Sequence, residues 1–481
     1  MKRAVIFSVI AVLLITVVTA TIFMVNNAPI KSSSANPNNS PFYVGVTFGG
    51  NTINEAKLLI DKVKNYTNLF ILQSGPLQNN IPAINEIGDY AVNSGLNLIL
   101  YFGTDSSWLM KTWLDQYDNH WNTTFLGIYF GDEPGGKMLD SVFHSYDDKT
   151  QSSLIKSADG TISGYKIDTN TSVTYKPDGT IITNPVNGPD YSYVTSNKAP
   201  FTESYTYSTY YPNGRVTVTT QEMGSLQSEV QDISKAAYSY EQLLSARPFQ
   251  SIDETAQRFV SEFNSQISRA KTYDPHFKLT FFTSDYALYW FDYQAGYNVI
   301  FAQIGWNQST VQDIALVRGA ANLQNKNWGA IITWKYTVQP YLASGNEIYQ
   351  QMRMAYDGGA KYIAVFNYAE DMQGSYGTLQ DEHFQALQGF WNDVVQNDSV
   401  VHGGIKAEAA LVLPRNYGWG MRNPQDTIWG LWNTDNSSQQ IWTQLQSKLA
   451  QYGSKLDIVY DDPAYAVVGK YGQIYYWNQT S

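Results

Sequence analysis

The stretch FLGIYFGDEPG, residues 125–135, decides how the rest of the chain is read. A short apolar run ends in an acidic pair, Asp132 and Glu133, followed by Pro134, which has no backbone N–H to continue a ladder. Such a run is the pattern of a strand buried on both faces, and strands of that kind belong to parallel sheets covered by helices. In those folds the chemistry sits at the carboxyl ends of the strands. Asp132 and Glu133 stand at that end, which makes Glu133 the leading catalytic candidate.

Outward from this stretch the same unit recurs. YVGVTFGG (43–50), NLFILQSG (68–75) and LNLILYFG (96–103) precede it as strands, each followed by apolar residues at helical spacing (53–66, 81–93 and 107–121). KLTFFTSD (278–285), NVIFAQIGW (298–306), WGAIITWKY (328–336) and KYIAVFNYAE (361–370) follow it, with helices running to 323, near 345–356 and near 380–395. Eight strand–helix units make a closed (β/α)8 barrel, an α/β fold, the most economical topology for residues 42–400. A doubly wound open sheet is the alternative, but no GxGxxG follows any strand.

The rhythm breaks between about 139 and 218. Turn dipeptides at Asp159-Gly160, Asp178-Gly179, Asn187-Gly188 and Asn213-Gly214 separate β-branched and aromatic runs, the signature of β-hairpins. This predicts an insertion after the fourth strand, on the face that carries Glu133, with helical sequence returning over 226–271. Residues 401–481 read as a small C-terminal α/β domain: strands at 409–413 and 456–459 around a helix at 439–452, and a further strand in GQIYYW.

Composition narrows the function. The 481 residues include no cysteine, and the five histidines show no HExxH spacing, so neither a thiolate metal site nor a histidine zinc site is expected, and no motif implies another cofactor. A net charge of -11 argues against a nucleic-acid partner. Lys2 and Arg3 precede an apolar run over 4–25. As a helix of about 22 residues it would span roughly 33 Å, enough to cross a bilayer with the basic end inside. Residues 1–27 are read as an uncleaved signal anchor, or as a signal peptide cut after Ala20, and 28–41 as a polar linker. The membrane is then a partner of the amino terminus, and the remainder is expected outside the cell, anchored at its surface or secreted. Sequons at Asn65, Asn122, Asn170, Asn307, Asn397, Asn436 and Asn478 accord with export.

Glu133 has a bland alternative, capping the helix that follows it; its place at the end of the fourth of eight strands favours chemistry. Asp132 reads as a hydrogen-bonding supporter. The eighth strand ends FNYAED, and Glu370 would face Glu133 across the mouth, as nucleophile or base if not as a rim salt bridge. Asp285, in TSDYALYW, could support or replace it. Lys335 in TWKY is either a solvated rim lysine or a group that orients a carboxylate or sugar hydroxyl. Tyr286, Trp306, Trp334 and Tyr368 collect at strand ends, and Trp419 stands in the C-terminal YGWGMRN. Aromatic faces beside polar donors suit sugar rings, although many aromatics simply fill cores.

The DEP at strand four and the eight-unit rhythm resemble the (β/α)8 glycoside hydrolases, in particular the clan whose acid/base glutamate follows strand four. The trailing α/β segment resembles accessory domains of some barrel glycosidases. The resemblance implies a two-carboxylate hydrolase of poly- or oligosaccharides and carries over to Glu133 alone. Strand seven, where that clan holds its nucleophile, here ends TWKYT without a carboxylate. The competing reading is a non-catalytic carbohydrate-binding or cell-envelope protein on the same scaffold.

Overall fold

A computed structural model describes residues 42–104, 107–140, 144–147, 152–156, 162–168, 171–175, 181–185, 204–211, 213–222, 228–232, 251–273, 279–368 and 374–479. Strands β1 (Tyr43–Phe48), β2 (Leu69–Leu72), β3 (Asn97–Phe102) and β4 (Phe125–Phe130) pair in sequence. The pairing then passes from β4 to β13 (Phe281–Asp285), β14 (Val299–Ile304), β15 (Asn327–Ile332) and β16 (Tyr362–Val365). Every pairing is parallel, and β16 on β1 closes the ring. This is the (β/α)8 barrel that the apolar runs predict.

Helices α1 (Ile53–Val63), α2 (Ile81–Asn93), α3 (Ser107–Leu114) and α4 (Pro134–Asp140) follow the first four strands. After α5 (Ile252–Thr272), α6 (Tyr289–Ala295), α7 (Thr310–Leu323), α8 (Gly345–Gly358) and α9 (Asp381–Phe390) follow the other four. Each strand is covered on its outer face, which is why β2 and β14 are buried at every position and carry no alternating polarity.

Several strands stop short of the apolar runs that announce them. The run at 361–370 yields a ladder over Tyr362–Val365 only, and that at 328–336 ends at Ile332. The aromatic residues beyond leave the ladder to wall the mouth. Inside the ring, inward positions alternate with outward ones: Val299 and Phe301, then Gln303, and likewise Leu69 and Ile71, then Gln73. The lower layers are apolar and close-packed, while the top layer is polar.

Between α4 and α5 the described strands are β5 (His144–Asp147), β6 (Ser152–Lys156), β7 (Ile162–Asp168), β8 (Thr171–Tyr175), β9 (Ile181–Pro185), β10 (Ser204–Tyr210), β11 (Val216–Glu222) and β12 (Ser228–Asp232). They form a six-stranded antiparallel sheet, ordered β12-β11-β10-β7-β6-β5, and the separate hairpin β8-β9. The β structure thus runs past residue 218. Ser228–Asp232, expected as the start of a helix, pairs with β11 instead, where Val230 lies opposite Thr219. The helix expected there is described only from Ile252.

At the carboxyl end, β17 (Ala409–Leu413) lies between β18 (Leu456–Tyr460) and β19 (Gln473–Tyr476), all parallel, with α10 (Asn436–Tyr452) as crossover. This sheet is joined to α7 by an ion pair removed from water: Arg318 Nε donates to Asp457 Oδ1 at 2.7 Å, with side chains 3% and 0% exposed. Arg318 also donates to the carbonyls of Ser454 and Leu456, each at 2.9 Å. Among the described residues no helix is long and apolar enough to cross a membrane. The apolar run over 4–25 lies outside them.

Candidate active site

At the carboxyl end of the barrel is a cavity of about 260 Å³. Asp132 and Glu133 line it, with Gln73, Ser284, Gln303 and Thr333 as polar neighbours and Trp306, Ile331, Trp334, Phe366 and Tyr368 as the apolar part. β16, which leads into Phe366 and Tyr368, lies across the ring from β4. The carboxylates and the aromatic wall therefore face each other.

The acidic pair sits on a network whose protons run one way. Both amide protons of Gln303 are used: Nε2 donates to Glu133 Oε1 at 2.8 Å and to Ser284 Oγ at 2.7 Å. Ser284 Oγ donates onward to Asp132 Oδ1 at 2.9 Å, and the Tyr129 hydroxyl donates to the same oxygen. Tyr129 is wholly buried beneath the cavity floor. Asp132 is thus an acceptor of two hydroxyl donors. Burial, and next the Asp132 charge, push the Glu133 carboxyl above its ordinary range, against the Gln303 hydrogen bond and Lys137, whose Nζ is 3.7 Å from Glu133 Oε2. A carboxyl raised in this way beside a hydrogen-bonded neighbour is suited to acid–base work.

Glu133 is held in a backbone conformation that a glutamate rarely adopts, with φ 55°. Left-handed non-glycine residues cost on the order of 1–3 kcal/mol and persist where surrounding structure imposes them. Here the Glu133 N–H donates to the Ser284 carbonyl at 2.9 Å, and Asp285 clasps the helix that follows. Asp285 Oδ2 accepts from the amide of Gly135 at 2.6 Å, and Oδ1 from that of Gly136 at 2.8 Å. Both glycines are required by the close approach: a Cβ on Gly136 would lie 2.1 Å from the Tyr286 ring, and one on Gly135 2.7 Å from Leu288 Cβ.

Asp285 is completely buried and does not line the cavity; it supports α4. Burial pushes its carboxyl up to about 7, with the amides it accepts from pulling the other way. Beside it lies Asp292, also fully buried, its carboxyl against that of Asp285. Burial, and next the Asp285 charge, push the Asp292 carboxyl well above the usual carboxylate range.

The remaining sequence candidates divide. Trp306 (40% exposed, φ 52°), Trp334 and Tyr368 form the aromatic wall. The Trp334 ring stands 6.0 Å from that of Trp306 and 5.9 Å from that of Tyr368. Lys335 turns away to Glu347, with Nζ 2.7 Å from Oε2. Tyr286 packs on Gly136 and donates its hydroxyl to Asp140. Trp419 is a core residue, 1% exposed, its indole N–H bonded to the Asp426 carbonyl at 2.8 Å. Glu370 lies outside the described residues. Gln73, Ser284 and Gln303 are additions that sequence reasoning missed. All three share a signal, a polar side chain near the end of an apolar strand run.

Among the described residues no cluster of histidine and carboxylate side chains could hold a metal ion. No protein-family model matches the chain, and no curated protein matches it either.

Proposed function

We propose that the protein is an exported, membrane-anchored glycoside hydrolase that acts on a sugar residue of a poly- or oligosaccharide, with Glu133 as general acid. One observation carries the reading: a carboxyl biased toward its protonated form, at the end of the fourth barrel strand, faces an aromatic wall across a cavity. A protonated carboxyl supplies the proton that the departing glycosidic oxygen needs. The wall supplies flat faces for the C–H side of a pyranose. The cavity is smaller than the roughly 300–1,000 Å³ typical of sites for drug-sized ligands, so it favours one ring over an extended chain. Glu370, two residues beyond Tyr368, is the sequence candidate for nucleophile or base.

A panel of aryl glycosides and polysaccharides, given to the full chain and to Glu133→Gln, tests this. Turnover by the native protein, lost in the variant with unchanged sugar affinity, is expected. Sugar binding without turnover in either would leave the non-catalytic carbohydrate-binding reading.

A further inference from the structure

Helix α4 starts directly after Glu133 and has seven residues, so its far end helps to set where that carboxylate stands. Asp285 grips the amino end. The carboxyl end is gripped by the C-terminal domain, through the loop between β17 and α10. Trp429 in this loop, fully buried at φ 56°, packs 4.6 Å from the Phe291 ring of α6 and 5.4 Å from the Phe259 ring of α5. Gln312 of α7 donates to the Met421 carbonyl at 2.8 Å, and Thr427 Oγ1 donates to the Leu139 carbonyl of α4 at 3.2 Å. The approach to α4 is close: a Cβ on Gly420 would lie 2.8 Å from Leu139 Cδ1.

Arg422 is the polar centre of this contact. Its Nε and Nη2 donate to the two carboxylate oxygens of Asp426, at 2.8 and 2.7 Å, and Nη1 donates to Asp140 Oδ1 at 2.6 Å. Asp426 is 3% exposed, so the paired bonds fix the guanidinium plane and aim its third bond at the last residue of α4. The other Asp140 oxygen accepts from the Tyr286 hydroxyl. After burial and the Asp132 charge, Asp140 is a further group that pushes the Glu133 carboxyl up, while Gln303 and Lys137 oppose it. Arg422 stands against that Asp140 charge. Resting on the glycosidase reading above, we infer that Arg422 is a positioning residue for Glu133: it pins the end of α4 through Asp140 and offsets the Asp140 charge. The C-terminal domain is thereby a working part of the site, although none of its described residues lines the cavity.

The test uses the full chain in detergent and three readouts: turnover of aryl glycosides, amide hydrogen exchange in α4, and NMR titration of carbon-labelled glutamate carboxyls. Glu133→Gln identifies the Glu133 signal. Arg422→Met should lower kcat about 10-fold with KM unchanged, since a misplacement of about 1 Å can cost about 10²-fold. It should also move the Glu133 titration, and with it the alkaline limb of the pH–rate profile, up by roughly 0.3 of a pH unit. Exchange in α4 should quicken while the barrel strands stay protected. Arg422→Lys, which keeps the charge but not the fork, should restore the titration and not the full rate. Asp140→Asn should move the titration down instead, and it decides the matter if Arg422→Met does not fold. A structural prop alone would change stability and leave the titration where it was. A Glu133 titration that Asp140→Asn leaves unmoved, or α4 exchange that a folded Arg422→Met leaves unmoved, would overturn the inference and leave the hydrolase standing. No turnover of any glycoside by the native protein would overturn the hydrolase reading, with titration and exchange still deciding on Arg422.

Discussion

Two acidic pairs stand at the ends of neighbouring barrel strands, and they have opposite fates. Asp132 and Glu133, after β4, line a cavity and are served by hydroxyl and amide donors from Tyr129, Ser284 and Gln303. Asp285, ending β13, and Asp292, in the helix after it, are sealed from solvent. One pair opens onto the cavity. The other fastens the helix that presents it. A carboxylate at a barrel strand end is therefore not yet a site: the backbone amides around Asp285 and the empty space beside Glu133 assign the roles.

The sharpest way to break this contrast is to substitute each side in turn. Glu133→Gln should cost about 10²–10⁴-fold in kcat on a natural glycan, with the melting temperature unmoved, as general acid catalysis contributes on that scale. Asp285→Ala should do the reverse first, lowering stability. Each buried amide left unpaired costs about 1–3 kcal/mol, and two belong to the helix behind Glu133. Thermal unfolding should show the loss, with activity falling only as Glu133 loses its position. An Asp285→Ala protein of native stability would mean that the clasp on α4 is ornamental.

The buried pair also has a pH signature. Burial raises both Asp285 and Asp292, which lie side by side, above the ordinary carboxylate range, whereas an unfolded carboxyl titrates near 4. Below about pH 4 folded and unfolded chains both keep the proton. Above that the unfolded chain releases it while the folded pair retains one, so this pair's contribution falls as pH rises toward 7. The slope is about 1.4 kcal/mol per pH unit for the retained proton. Asp292→Asn should flatten that part of the curve of unfolding free energy against pH, and an unchanged slope would place the proton elsewhere. The smallest effect expected is on the exposed side. Lys137→Met removes a charge that holds the Glu133 carboxyl down. The alkaline limb of the pH–rate profile, where the acid form is lost, should move slightly to higher pH.

The barrel was legible because apolar runs such as LFIL and VIFAQI need cover on both faces, and a repeated strand–helix rhythm supplies it. Glu133 was legible from its strand end. Strand limits were not, because the same aromatic residues that extend a ladder on paper wall the mouth in space, as Phe366 and Tyr368 do. Trp419, read as a ligand contact, and Asp285, read as a carboxylate that could support or replace Glu370, lie in the interior for a related reason: residue type does not record burial. Gln303 and Ser284 were overlooked, although a glutamine or serine inside an apolar strand must find a partner. Each was visible as an inward polar position one layer above Phe301 or Phe282.

The buried ion pair between Arg318 and Asp457 bears on the order in which the molecule is completed. Arg318 enters the growing chain 139 residues before the carboxylate that neutralises it. A nascent chain that already holds all eight barrel strands still carries on α7 a guanidinium that stays hydrated until the last sheet covers it. The last sheet is accordingly the keystone of the barrel rather than a passenger, and a chain cut near residue 400 leaves α7 with an unmatched charge beside bare apolar surface. The face of α7 that carries Arg318 is dry only when residues near the carboxyl end lie on it.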